Sequence, residues 1–213
     1  MKTISRAMLR NGVTLALFAA VTTTAVATLV WFTSDRVAAN QRAAQIAALN
    51  AVMPHERYDN DLLVDVVQFK DARLGDSQKP RTVYRARLAG QPSGLVMDII
   101  APEGYGGSIR LLVGVDVQGN ITGVRMVPPH PETPGLGDKI DTRKSPWMLS
   151  FDGKSLALPA EARWAVKKDG GDFDQFTGAT ITPRAVVTAV RDSLRWYRDN
   201  RDAVFAAPGA TGP

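Results

Sequence analysis

With no cysteine among its 213 residues, the chain cannot ligate an iron–sulfur cluster through thiolates, attach a c-type haem, form a disulfide or use a catalytic thiol. Any redox chemistry has to come from an organic cofactor. The two histidines, His55 and His130, lie far apart and in no metal-ligand spacing, so neither a zinc nor a haem site is expected. A basic stripe is missing as well. The formal charge is +5, yet without Lys2, Arg6 and Arg10, which precede the first apolar run, 23 basic residues face 21 acidic ones. The rest of the chain is nearly neutral, and no nucleic-acid partner is expected. Gly104, Gly106 and Gly107 lack the spacing of a dinucleotide fingerprint or a P-loop and read as a turn. No internal repeat is present.

Charge is also absent from Asn11 to Ser34, 24 residues that would cover about 36 Å as a helix against roughly 30 Å of bilayer hydrocarbon. This stretch predicts a membrane-spanning helix. Lys2, Arg6 and Arg10 before it, with Asp35 and Arg36 after it, place residues 1–10 in the cytoplasm and the bulk of the chain outside. A cleaved leader is the other reading, since Ala25-Val26-Ala27 is a possible cleavage sequence; the apolar run continues through Leu29, Val30, Trp31 and Phe32, longer than a leader needs. Gly12, Ala16, Ala20, Thr24 and Thr28 line one helical face with small side chains, which lets another helix approach.

Residues 35–54 predict a linker helix ending before Pro54, followed by one domain over 55–205 and a disordered tail over 206–213 rich in Ala, Gly and Pro. Within the domain, Val64–Phe69, Thr82–Leu88 and Leu95–Ile100 read as strands, the last two joined by a turn at Gly90–Gly94. Ile109–Val117 and Ile121–Val127 form the clearest hairpin. A long loop from Pro128 to Lys144 follows; then a helical turn over Ser145–Leu149 and a strand over Trp164–Lys167 are expected. From Pro183 to Asn200, Val186, Val187, Val190, Leu194 and Tyr197 share one helical face that should pack on the sheet. The fold class is α+β, with an antiparallel sheet and packed helices.

The run Asp174-Gln-Phe-Thr177-Gly178-Ala179-Thr180-Ile-Thr182-Pro183 places an unhindered hydroxyl on a tight turn beside a helix start. Gly178 takes a positive φ at no steric cost, and Thr182 before Pro183 reads as an N-cap and first helical residue. The N–H groups beyond favour an anion there, and Arg184, which opposes the helix dipole, points to one nearby.

These residues resemble the attachment motif, aspartate-x-x-(Ser/Thr)-Gly-Ala-(Ser/Thr), of FMN-binding domains in which flavin mononucleotide is esterified through its phosphate to the last hydroxyl residue. Here that residue is Thr180. The segment His130-Pro-Glu132-Thr133-Pro134-Gly135-Leu136-Gly137-Asp138-Lys139-Ile140 resembles the loop that in such domains lies against the isoalloxazine ring, and Gly104–Gly107 fits too. With its N-terminal anchor, the chain over residues 1–205 is similar to the G subunit of the Rnf electron transport complex. The related C subunit of the sodium-pumping NADH:quinone oxidoreductase carries the same motif.

The resemblance implies a covalent FMN on Thr180, with Glu132, Thr133, Gly135, Leu136, Gly137, Thr177, Gly178, Ala179 and Arg184 around it and no catalytic residue or metal of the chain's own. It implies electron transfer between ferredoxin and NAD coupled to ion translocation, an inner-membrane location with a periplasmic domain, other membrane subunits as partners, and a flavin transferase that adds FMN from FAD. Trp147, Tyr105 and Phe176 are candidates to stack on the ring, Lys139 to neutralise phosphate charge, and Asp174 to serve recognition by the transferase. Two other readings stay open: a non-redox binding or assembly domain outside the membrane, and a self-standing FMN reductase.

Overall fold

A computed structural model describes residues 2–130 and 132–208. Met1, Pro131 of the loop motif and the expected tail beyond Pro208 lie outside the described residues. Two compact units are present, 1–45 and 46–213.

The described residues of the first unit are all helical. Helix α1 spans Lys2–Asn50 without a break between the expected anchor and linker, because no proline or glycine interrupts the stretch between Gly12 and Pro54. Among the described residues, α1 carries the stretch long and apolar enough to cross a membrane. Thr14, Thr22, Thr28 and Thr33 return their hydroxyls to carbonyls three or four residues back, so the segment exposes few unpaired polar groups.

The second unit is built on five antiparallel strands in simple meander order: β1 (Val66–Asp71), β2 (Asp76–Leu88), β3 (Gln91–Gly104), β4 (Gly107–Asp116) and β5 (Ile121–Met126). Alternation on β3 sends Leu95, Met97, Ile99 and Ala101 to one face, where they meet the apolar stripe of α2 (Ile181–Ala206) that includes Val186, Val187 and Val190. The opposite face carries Ala86, Val96 and Leu112, covered by Leu49, Val52, Met53, Tyr58 and Leu62. Backbone reaches the sheet directly there: a Cβ on Gly114 would collide with the Val52 carbonyl oxygen, and the Thr122 hydroxyl donates to that same oxygen.

Several expected boundaries move. The β2–β3 turn is Ala89–Gly90, not Gly90–Gly94; both residues take positive φ (51° and 75°), the geometry that suits the twist of a two-residue hairpin. Pro92 is tolerated within β3 because it lies beyond Gly94, which pairs with Asp116 at the end of the β3–β4 ladder. β2 begins at Asp76, and its Pro80 falls at the irregularity between the Phe69–Arg81 and Asp71–Asp76 pairs. The expected strand over Trp164–Lys167 is absent. A 3₁₀ turn at Glu161–Arg163, one bridge between Val166 and Phe173, and a second turn at Lys167–Asp169 replace it. The turn expected over Ser145–Leu149 is present as Pro146–Phe151, with the Ser145 hydroxyl accepting from the Trp147 N–H at 3.3 Å.

Helix α2 is longer than the expected Pro183–Asn200 at both ends. Its C-terminus is held by Arg85, which is buried: one guanidinium nitrogen donates to the carbonyl oxygens of Val204 (3.1 Å) and Ala207 (2.5 Å) while Asp65 accepts from another. The tail expected from residue 206 therefore starts as hydrogen-bonded chain through Ala207.

Candidate functional site: a pocket between two loops and a helix start

The long loop after β5 and the loop before α2 converge on one cavity of about 210 Å³. Glu132, Thr133, Leu136 and Gly137 contribute from the first loop. The second supplies Gly178, Ala179 and Thr180, continued by Ile181 and Thr182 of α2, and Tyr105 enters from the β3–β4 turn. Two segments that lie about 40 residues apart in sequence thus form a common wall.

The second loop is shaped by its neighbours. Gly178 has φ 79°, and Ala179 donates its N–H to the Phe176 carbonyl at 3.0 Å, closing the turn. Phe176 is buried against Trp147, with ring centroids 5.1 Å apart, and the Trp147 indole N–H donates to the Asp174 carbonyl at 2.8 Å. Trp147 and Phe176 therefore anchor the loop from inside the core and line no part of the cavity. Tyr105 does line it and is 68% exposed. With Leu136 and Ile181, also exposed, it gives the mouth an apolar rim.

The helix start differs from the expected register. α2 opens at Ile181 with Thr180 in the N-cap position; Thr182 is inside the first turn and Pro183 follows it. An N-cap residue ordinarily takes extended backbone, from which its hydroxyl reaches the second or third helical N–H. Thr180 has φ −76° and ψ −26° and makes no such bond. Its hydroxyl is unspent, half-buried and on the cavity wall. Thr182, by contrast, is fully buried and donates its hydroxyl to Glu132 Oε2.

Arg184 does not line the cavity. Its guanidinium makes two bonds to Asp169, at 2.6 and 2.9 Å, and that pairing raises its own pKa and lowers that of the Asp169 carboxyl. The anion it was expected to need is a side chain of the protein. Lys139 lies over the Phe176 ring at 5.9 Å, and Asp174 is exposed and paired with Lys167 at 2.6 Å. Gly135 (φ 79°) turns the first loop without touching the cavity, and Thr177 is exposed and likewise not part of the cavity wall. Below the first loop, Lys144 holds the Asp138 carboxyl below its ordinary range, and Arg143 draws that of Asp141 down to about 2.

Sequence reading missed Ile181 as a wall residue and mistook Thr182 for the cap. Thr180, Ile181 and Thr182 all reach the cavity wall, and of the two hydroxyls it is that of Thr182 that Glu132 engages.

A flavin phosphate ester fits these features. A free hydroxyl stands at a helix start whose first N–H groups have no intrahelical acceptor, beside an open apolar rim; that combination suits a phosphate joined to a flat, mostly apolar ring. At about 210 Å³ the cavity is smaller than the roughly 300–1,000 Å³ usual for enclosed ligands, so it suits a group held partly at the surface.

Residues 104–195 match the family described as FMN-binding domain, and residues 1–52 match the RnfG N-terminal region. The chain is 51% identical over 207 residues, 97% of its length and 96% of the relative's, to the G subunit of the ion-translocating oxidoreductase complex of Pseudomonas aeruginosa. It is 44% identical over 202 residues to the protein of that name from Vibrio atlanticus (95% of this chain, 96% of the other), and 45% identical over 205 residues to that from Shewanella amazonensis (96% and 95%). The N-terminal match decides between the two candidate families. The chain belongs to the family of G subunits of ion-translocating oxidoreductase complexes, and is a membrane flavoprotein component of an Rnf-type complex.

Proposed function

We propose that the chain carries FMN as a phosphoester of Thr180 and acts as an electron carrier on the outer side of a bacterial inner membrane, within electron transfer between ferredoxin and NAD coupled to ion movement. The observation that carries this reading is the unspent Thr180 hydroxyl on the wall of the cavity, set against the engaged hydroxyl of Thr182 two residues on. Bound FMN supplies one-electron exchange between partners; the residues around it hold and shield it. Glu132, Thr133, Leu136 and Gly137 form one side of its seat and Gly178 and Ala179 the other. Thr177 and Gly135 shape the two turns. The first N–H groups of α2 neutralise the phosphate, a role Arg184 leaves to them while it is held by Asp169.

Attachment requires a separate flavin transferase acting on FAD. Thr180 Oγ bonds to the FMN phosphorus as the pyrophosphate P–O bond breaks; AMP leaves, and the hydroxyl proton passes to the transferase. A permanent bond suits a site outside the cytoplasm, where free FMN is too dilute to refill it.

The test is co-expression with the transferase, denaturing electrophoresis and in-gel flavin fluorescence. A fluorescent band is expected from the wild type and none from Thr180→Val. A band that survives in Thr180→Val would move the linkage to another residue, with Thr177 first to be examined, and a dark wild-type band accompanied by no mass adduct would end the reading.

A further inference from the structure

Glu132 is 5% exposed, and among the described residues it forms no ion pair. Its carboxylate is held by neutral donors alone: the Thr182 hydroxyl donates to Oε2, and the Gly106 N–H donates to Oε1 at 3.3 Å. Its own N–H donates to His130 Nδ1 at 3.3 Å. Three separate pieces of the pocket therefore meet on one side chain: the β3–β4 turn, the loop after β5 and the first turn of α2.

Two glycines make room for that carboxylate. A Cβ on Gly137 would collide with Glu132 Oε2 and lie 3.0 Å from Thr182 Oγ1; one on Gly104 would lie 2.8 Å from Glu132 Oε1. Burying an acid against neutral donors is unfavourable unless its bonds are made, so the arrangement is committed to its geometry.

We propose that Glu132 and Thr182 form a buried latch that fixes the first turn of α2 against the 132–137 loop, leaving Thr180 as the one hydroxyl of the Thr-Ile-Thr stretch free to accept the phosphoryl group. Glu132 is then a positioning residue that acts through Thr182. The latch also explains selectivity within the motif. Thr182 is 0% exposed with its proton already donated, so it cannot compete with Thr180 as the acceptor. This inference rests on the attachment proposed above, in which the Thr180 Oγ–P bond forms as the bond to AMP breaks.

Two measurements on the full chain in detergent separate the two claims. The first is the rate of flavin attachment by purified transferase and FAD. The second, made on protein that has not been flavinylated, is amide hydrogen exchange over residues 180–186. Thr182→Val, which removes the hydroxyl but keeps the shape, is expected to slow attachment roughly ten-fold or more and to raise exchange in the first turn of α2 by a similar factor. Thr182→Ser restores both. Glu132→Gln keeps an acceptor for one donor only and is expected to fall between wild type and Thr182→Val, which keeps the test informative if the valine variant folds poorly. Attachment by Thr182→Val within about two-fold of wild type, or a serine variant as impaired as the valine one, would overturn the latch. A wild type that accepts no flavin at Thr180 defeats the attachment proposal alone, because the exchange measurement stands without it.

Discussion

At the residue scale, two glycines of the same pocket illustrate different constraints. Gly178 is needed for its φ of 79°, while its side-chain direction is open, with Leu136 Cδ2 at 3.7 Å as the near contact. Gly178→Ala should therefore cost only the left-handed strain, about 1–2 kcal/mol, and leave the pocket its shape. Gly137 is needed for space, because a methyl group would be driven into the Glu132 carboxylate. Gly137→Ala should cost about 1–3 kcal/mol through overpacking and also displace the latch. Thermal melts check this: Gly178→Ala should lower the melting temperature by the left-handed strain alone, and Gly137→Ala should lower it at least as far and also slow attachment through the displaced latch. The opposite ranking would mean that backbone strain rather than the Glu132 cradle governs the site. A glycine in each loop was legible in the sequence. The reason for each was not, since a turn glycine and a close-approach glycine look alike until the neighbour is known.

At the scale of elements, the loop after β5 is ordered from below by two carboxylate pairs. Lys144 bonds to Asp138, and Arg143 bonds to Asp141 through both side-chain oxygens. Asp141 also accepts the Arg143 N–H at 3.0 Å, a local turn that presets the pair. Its carboxyl titrates at about 2 in the folded protein and near 3.9 in an unfolded chain. The folded value is depressed, so the stabilisation is complete above pH 4 and is lost as pH falls toward 2; Asp138, lowered by Lys144, adds in the same direction. Melting temperature should drop across that window, and Asp141→Asn, which keeps the turn but loses the charge, should start lower and flatten the drop. An unchanged acid limb in the variant would show that this pair contributes nothing to holding the loop. Solvent screening limits the size of the effect, because Arg143 is largely exposed.

For the whole molecule, the apolar stretch within α1 and the folded unit from Ile46 onward make different demands on solvent, the one for lipid and the other for water. Lys2, Arg6 and Arg10 precede the apolar stretch, and that bias predicts a cytoplasmic N-terminus with the globular unit on the far side of the membrane. Alkaline phosphatase fused after Pro208 should be active in cells, and green fluorescent protein at the same position should stay dark. The reverse pattern would put the FMN site in the cytoplasm and remove the argument for a permanent tether. With no cysteine to form stray disulfides, the chain itself does not complicate that experiment.

Sequence alone determined what depends on local pattern. The uncharged run marked the anchor, alternation marked the sheet, the apolar stripe marked α2, and the Thr-Gly-Ala-Thr corner marked the attachment candidate. It misplaced the β2–β3 turn, because Gly90–Gly94 carries turn residues while pairing between Leu88 and Gln91 sets the register. It also misplaced the start of α2 by reading Thr182-Pro183 as a cap. Only tertiary structure decided which threonine is buried and which is free. That choice belongs to Glu132, some 50 residues upstream, whose carboxylate takes the Thr182 proton-donor bond inside the core. A hydroxyl's availability is set by whether a buried acceptor claims it, and nothing in the spacing of the motif records that acceptor.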